Sequence, residues 1–328
     1  MKTNRITAVV LALALLLFLP SCQPTTDPED TGYQPVTVLG VNFTEPPERV
    51  VSLSPATTEM MVKLELTGKL AACTDACVLP EGTEIPSVGD GSDPNFDAIL
   101  DAKPDLVISQ RSLSKADLDK LNQEGIKALI IPTAEDLREL KSYYSALGAV
   151  FHGTEKGIAE AERVTKPLVT VVNTLLSVLK EDSKNVSFVY FLQLGKSAAT
   201  ADTFAGNILA CLGVNKAEGS DYQIDLAKIK ADDPTYLFVS KPYALENLQS
   251  SPDWNTLSSV TGKKVLSFDS SLFERRSLDI ADLLLDAAKT MYPDKADSID
   301  AALKAADAED ASGSGESKAE SNGTLSSE

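Results

Sequence analysis

Asn95-Phe-Asp-Ala-Ile-Leu-Asp-Ala-Lys-Pro-Asp-Leu-Val-Ile-Ser109 sets a short helix directly in front of a strand. Asn95 to Ala102 has helical spacing, Pro104 cannot continue it, and Asp105-Leu-Val-Ile-Ser109 is a run suited to a buried strand. The same alternation extends in both directions. Downstream, Ser114 to Gln123 reads as a helix ended by Gly125, Ala128-Leu-Ile-Ile131 as a strand, and Ala134 to Leu147 as a helix. Upstream, Val50-Val-Ser-Leu-Ser54 is a strand, Pro55 and Thr57-Thr58 open a helix through Leu66, and Lys69 to Cys73 is a second strand. Strands alternating with helices argue a parallel sheet built from βα units.

Thr154 to Glu181 breaks this rhythm. It carries Val164, Leu168, Val171, Val172, Leu175, Leu176 and Leu179 along one helical stretch, and Pro167 inside it predicts a kink or two shorter helices. The alternation then restarts, with strands expected at Asn185 to Leu192, Tyr236 to Ser240 and Lys264 to Ser267. Helices are expected at Thr203 to Cys211, stopping near Gly213, and at Leu245 to Gln249. Ser277 is expected to N-cap a last helix with Leu278, Ala281, Leu285 and Ala288 on one face. The fold class is therefore α/β, with two lobes flanking one long helix.

The chain has 328 residues, 43% of them hydrophobic, and a formal net charge of -18. Length and apolar content suit two domains. The acidity argues against nucleic acid as a partner, because no basic excess is available to pair with phosphates. Lys2 and Arg5 precede an apolar run from Ile6 to Leu19, which is short for a membrane span and reads as an export signal. The run ends in Leu19-Pro20-Ser21-Cys22, which resembles a bacterial lipobox, so Cys22 is the expected lipidation site. Residues 1–21 would be the signal, and losing Lys2 and Arg5 with it takes the charge from -18 to -20. Residues 22–34 read as a flexible tether. The expected organisation continues with a first lobe at 35–152, a connecting helix at 153–182 and a second lobe at 183–294. A short helix and a disordered acidic tail fill 295–328.

Catalytic signatures fail one by one. His152 is the single histidine, so a multi-histidine metal site is impossible. Gly195-Lys196-Ser197 looks like the end of a phosphate-binding loop, but Tyr190 stands where that loop needs glycine. No nucleophile elbow opens a helix before the tail, and no dinucleotide fingerprint follows a strand. Neither a catalytic residue, a resident metal nor a cofactor is indicated. Cys73 and Cys77 could bridge if a tight loop joins them, or remain reduced thiols alongside Cys211.

Pro47-Glu-Arg-Val-Val-Ser-Leu-Ser-Pro-Ala-Thr-Thr-Glu59 resembles the opening of the helical-backbone class of ABC-importer substrate-binding proteins, which take cobalamin, siderophores or haem. The likeness continues through Thr74-Asp75, Cys77 and Pro80, is strongest from Pro94 to Ile108, and returns at Thr203 to Gly213, Trp254 to Val265 and Phe273-Glu-Arg275. The resemblance implies two Rossmann-like lobes, each with a mainly parallel sheet, joined by one long helix (the class III periplasmic-binding-protein fold). It also implies capture rather than catalysis. A lipid-anchored, extracytoplasmic protein would hold a metal chelate or corrinoid between its lobes and deliver it to an ABC permease driven by a cytoplasmic ATPase. The expected state is a monomer.

Ligands of open α/β sheets sit beyond the carboxyl ends of the strands. That rule nominates Ser54, Thr57, Thr74, Asp75, Asp90, Gln110 and Arg111 in the first lobe. In the second lobe it nominates Gln193, Lys196, Lys241, Tyr243, Leu272 and Arg275. Helix N-termini after Ser54 and Ser277 are further anion candidates. Cobalamin-binding relatives place tryptophans where Gln110 and Leu272 stand, and Trp254 reads as packing. The resemblance assigns Asp97 and Glu274 to docking on the permease, one per lobe. A ferric siderophore is the first expectation, a corrinoid the second and haem the third. A non-transport ligand sensor on the same fold is the alternative, and a surface hydrolase the least supported.

Overall fold

The computed structural model describes residues 33–316, with side chains to 309. The expected signal, Cys22 and all but the end of the tether lie outside the described residues. An antiparallel hairpin comes first, β1 (Val36–Val38) with β2 (Val41–Phe43), turning on Leu39 and Gly40 at positive φ. The first lobe is a four-stranded parallel sheet of β3 (Val50–Ser52), β4 (Leu70–Cys73), β5 (Leu106–Ser109) and β6 (Lys127–Ile130), in the order β4-β3-β5-β6.

Between its strands run α1 (Pro55–Lys63), α2 (Phe96–Asp101) and α3 (Lys115–Gln123). Each starts on a side-chain cap: Ser54, Asn95 and Ser114 accept from the amides of Thr57, Ala98 and Asp117. Such a cap satisfies an N–H that the helix itself cannot. β5 is buried at every residue, as a strand covered on both faces must be. Val51, Leu53, Ile99, Val107 and Leu121 pack together there. Full burial of each such side chain contributes about 1.5–3 kcal/mol.

Two antiparallel helices follow, α4 (Leu137–His152) and α5 (Thr154–Val178), joined at Gly153 with φ 76°. They approach until backbones touch. A Cβ on Gly148 would lie 2.5 Å from the Gly157 carbonyl oxygen, and one on Gly157 would lie 2.2 Å from the Ala149 nitrogen. The connector is thus a helical hairpin, and α4 runs to His152, past the Leu147 expected from sequence. α5 is one continuous helix of 25 residues through Pro167, which corrects the second of the two expected alternatives, a kink or two shorter helices. Proline costs the bond to the carbonyl four residues back, that of Arg163. Both residues are exposed, so water can satisfy that carbonyl. The opposite stripe, Gly157, Ala161, Thr165, Leu168, Val171 and Leu175, is buried.

The second lobe contains β7 (Ser187–Gln193), β8 (Ser197–Ala198), β9 (Val214–Asn215), β10 (Tyr236–Ser240) and β11 (Val265–Phe268). The path is β8-β7-β10-β11, and β9 also pairs with β7. β9, β10 and β11 run parallel to this frame, and only the short β8 is antiparallel among these strands. Helices α6 (Phe204–Leu209), α7 (Leu226–Asp232), α8 (Leu245–Gln249), α9 (Ser258–Thr261), α10 (Ser270–Glu274) and α11 (Ile280–Met291) surround it. Phe188 stacks on Phe238 at 5.0 Å, and Trp254 meets Phe191 edge-on at 5.1 Å, 5% exposed in the core. The sequence reading of Trp254 as packing agrees with this. Both sheets lie in one compact unit that begins at Gln34.

Two end assignments need correction. Ser277 does not cap α11. The N-cap is Asp279, whose amide donates to the Ser277 hydroxyl at 3.2 Å while that hydroxyl donates to Glu59 across the lobes. The helix expected within 295–328 is longer than the short one read from sequence: α12 spans Ala296–Glu316 and takes up part of the stretch expected to be disordered. Its alanine content favours helix. Residues 317–328 lie outside the described residues.

Candidate ligand-binding site

The carboxyl ends of β3, β5 and β6 open into two cavities of about 430 and 250 Å³, which share Leu53, Gly91, Ser109 and Arg111. Ligand pockets commonly have about this size. Ser54, Gln110 and Thr133 complete the smaller one. Arg111 is held by a turn in which its amide donates to Ser109 Oγ (3.2 Å) and its carbonyl accepts from the same hydroxyl (2.8 Å). Its exposed guanidinium donates to the Gly91 carbonyl at 2.5 Å. A guanidinium has five N–H donors, so most remain for a ligand. Asp90, beside it, is held below the usual carboxylate range, chiefly by the Ser92 hydroxyl and amide, with Arg111 a smaller contribution.

The other nominated residues of this lobe are placed differently. Thr57 is fully buried, and its hydroxyl meets Ser52 at 2.7 Å and Ser54 at 2.8 Å. It therefore builds the start of α1 and does not face a ligand, which corrects the sequence reading. Thr74 is 2% exposed and turned to Cys77. Asp75 is exposed and accepts from the Ser87 hydroxyl.

In the second lobe, Lys241 and Leu272 line a third cavity of about 370 Å³ with Phe268, Asp269, Asp282 and Asp286. Gln193, Lys196 and Tyr243 stand exposed on the loops after β7 and β10, outside these three cavities. Asp97 and Glu274 are exposed, on α2 and at the end of α10.

Arg275 needs the largest revision. Its Nε lies 3.5 Å from Glu59 Oε2, and its Nη1 donates to Ser271 Oγ at 2.8 Å. The Nε–H itself makes no hydrogen bond, so the contact with Glu59 is an ion pair only. Ser277 donates to Glu59 Oε1 at 2.7 Å, and Lys63 reaches Asp279 at 2.6 Å. Arg276, which the sequence reading did not single out, donates to the carbonyls of Ala134, Phe273 and Glu274 and lies over the Phe204 ring at 5.3 Å. Burial lowers its pKa. These residues tie the lobes together. Ser277 itself is fully buried, with its hydroxyl turned to Glu59.

Thr133 is one of the lining residues that sequence reasoning missed, with Leu53, Ser109 and Ser112. It follows β6, and the carboxyl-end rule applied to that strand would have found it. His152 closes α4, with Lys156, Glu160 and Lys69 as its charged neighbours, away from the three cavities. Among the described residues, no three His, Cys, Asp or Glu side chains are grouped to hold a metal ion. The two adjoining cavities present serine hydroxyls, the Arg111 guanidinium and, in the larger one, the carboxylates of Asp93 and Asp117, an arrangement that suits a polar, hydrogen-bonding ligand.

Comparison with known proteins agrees with this picture. The chain is 22% identical over 315 residues to the uncharacterized ABC transporter substrate-binding lipoprotein YvrC of Bacillus subtilis (strain 168), covering 89% of this chain and 98% of the relative. It is 26% identical to the Fe(3+)-citrate-binding protein YfmC of the same organism, over 58% of this chain and 61% of that one. The crystal structure of the periplasmic vitamin B12 binding protein BtuF of Vibrio cholerae superposes with a TM-score of 0.61 at 22% identity, covering 75% of this chain and 97% of the other. Each of these relatives is named for binding. Residues 50–272 match the model of the periplasmic binding protein family, and the chain belongs to that family.

Proposed function

We propose that this protein is the substrate-binding component of an ABC importer and that it captures an iron(III) chelate of the siderophore type between its lobes. The observation that carries this reading is Arg111, an exposed cation shared by two adjoining cavities of the first lobe, with serine hydroxyls and the carboxylates of Asp93 and Asp117 in their lining. Such a site suits the carboxylate or catecholate oxygens of an anionic ferric chelate. Gln110 and Leu272 supply no aromatic wall for a corrin face, and His152 is remote from the cavities, which disfavours an axial haem ligand. The ferric citrate relative supports the iron reading. The vitamin B12 neighbour makes a corrinoid the second one.

In this account Cys22 carries the lipid, the protein works as an extracytoplasmic monomer at the membrane, and Asp97 and Glu274 meet the permease. Titration with ferric citrate tests the site. Arg111→Ala should weaken binding about ten- to a hundred-fold, the loss of a charged hydrogen bond. The thermal midpoint should hold, because the side chain is exposed. Unchanged affinity would remove Arg111 from the site.

A further inference from the structure

Cys73 ends β4 and Cys77 lies one turn later, and both are free thiols. The Cys77 amide donates to the Thr74 carbonyl at 3.1 Å, and this turn brings the second cysteine back toward the end of β4. The Thr58 hydroxyl donates to Cys77 Sγ at 3.0 Å, and Thr74 Oγ1 lies 3.3 Å from it. Two hydroxyls thus meet one sulfur. Cys77 is half-buried and reachable from solvent, whereas Cys73 is 4% exposed. Hydrogen bonding, first from Cys73, holds the Cys77 thiol below its ordinary range, while Cys73 and the buried Cys211 are pushed up.

We propose that Cys73 and Cys77 are a redox-active pair that closes to a disulfide by exchange with a low-molecular-weight disulfide, with Cys77 as the attacking sulfur and Cys73 as the resolving one. The Cys77 thiolate attacks one sulfur of the external disulfide, forming a mixed disulfide and releasing one thiolate. Cys73 then gives its proton to solvent and attacks Cys77 Sγ, expelling the second thiolate. The protein loses two electrons and two protons, and the external disulfide becomes two thiols. Closure removes Cys77 as the acceptor for Thr58 and Thr74, so it rewires the base of α1 beside Ser54. The exchange does not depend on which ligand the protein carries.

The test uses the full chain with Cys22→Ser, leaving three thiols, incubated folded with oxidised glutathione. Free thiols should fall from three to one, the intact mass should drop by two hydrogens, and proteolysis should yield a peptide joining Cys73 to Cys77. Cys73→Ser should retain one glutathione on Cys77, for lack of a resolving thiol. Cys77→Ser should not react, because Cys73 and Cys211 are buried. Three thiols surviving in the folded protein would overturn the proposal. So would a wild-type chain that keeps glutathione without closing, and this readout needs neither variant to fold.

Discussion

Glu59 on α1 and Arg275 after α10 stand 3.5 Å apart across the lobe boundary, 7% and 13% exposed. Separated by most of the chain, they meet because Ser277 donates to the other Glu59 oxygen and fixes the carboxylate. Removing one member of such a pair strands the other's charge in the interior. Glu59→Ala should cost about 3–5 kcal/mol, whereas Glu59→Met with Arg275→Met should cost far less. Urea midpoints at constant slope measure both. A single substitution that costs nothing would show that the pair is solvated.

The α4–α5 hairpin depends on glycine where the two backbones touch. Gly157→Ala would drive a methyl group to 2.2 Å from the Ala149 nitrogen and 2.3 Å from the Gly148 carbonyl carbon. Backbone cannot step aside as a side chain can, so the loss should be about 3 kcal/mol, the upper range for overpacking. Thermal unfolding of the variant reads it directly. An unchanged midpoint would mean that the helices separate without cost.

Tyr144 on α4 is fully buried, and its hydroxyl has no hydrogen-bond partner. Burial, then the charges of Glu59 and Asp279, push its pKa well above the usual phenol range. Tyr144→Phe deletes an unsatisfied polar atom and keeps the ring. Stability should rise by about 1 kcal/mol. A loss of that size in chemical denaturation would reveal a partner for the hydroxyl.

Asp97 and Glu274 test docking apart from capture. Reversing both charges to lysine should slow transfer of a bound chelate to a reconstituted permease, because exposed charges at a rim mainly steer association. Affinity for the chelate should stay within about two-fold, since neither residue lines any of the three cavities described above. A large loss of affinity would move these acids into the ligand site.

Local signals carried most of the fold. Asn95 as a cap, Pro104 as a stop and the apolar run after it are each readable within a few residues, and α2 and β5 formed where they pointed. Arg111 was nominated because it follows the end of a strand, and the structure places it in the lining of two cavities. Thr57 was not: its position after β3 suited a ligand contact, but its hydroxyl closes a cap with Ser52 and Ser54. The contacts of Arg275 and Ser277 with Glu59 were not legible, because Glu59 lies on the other lobe and nothing within either segment announces them. Pro167 misled because a breaker on a solvent face is tolerated, and which face is exposed is a tertiary fact.

Native mass spectrometry of the full chain with ferric citrate, a ferric catecholate siderophore, cyanocobalamin and haem tests the central claim most directly. The account predicts one retained one-to-one adduct with an iron(III) chelate, diminished by Arg111→Ala, and none with cyanocobalamin or haem. Retention of cyanocobalamin or haem alone, or of none of the four, would contradict it.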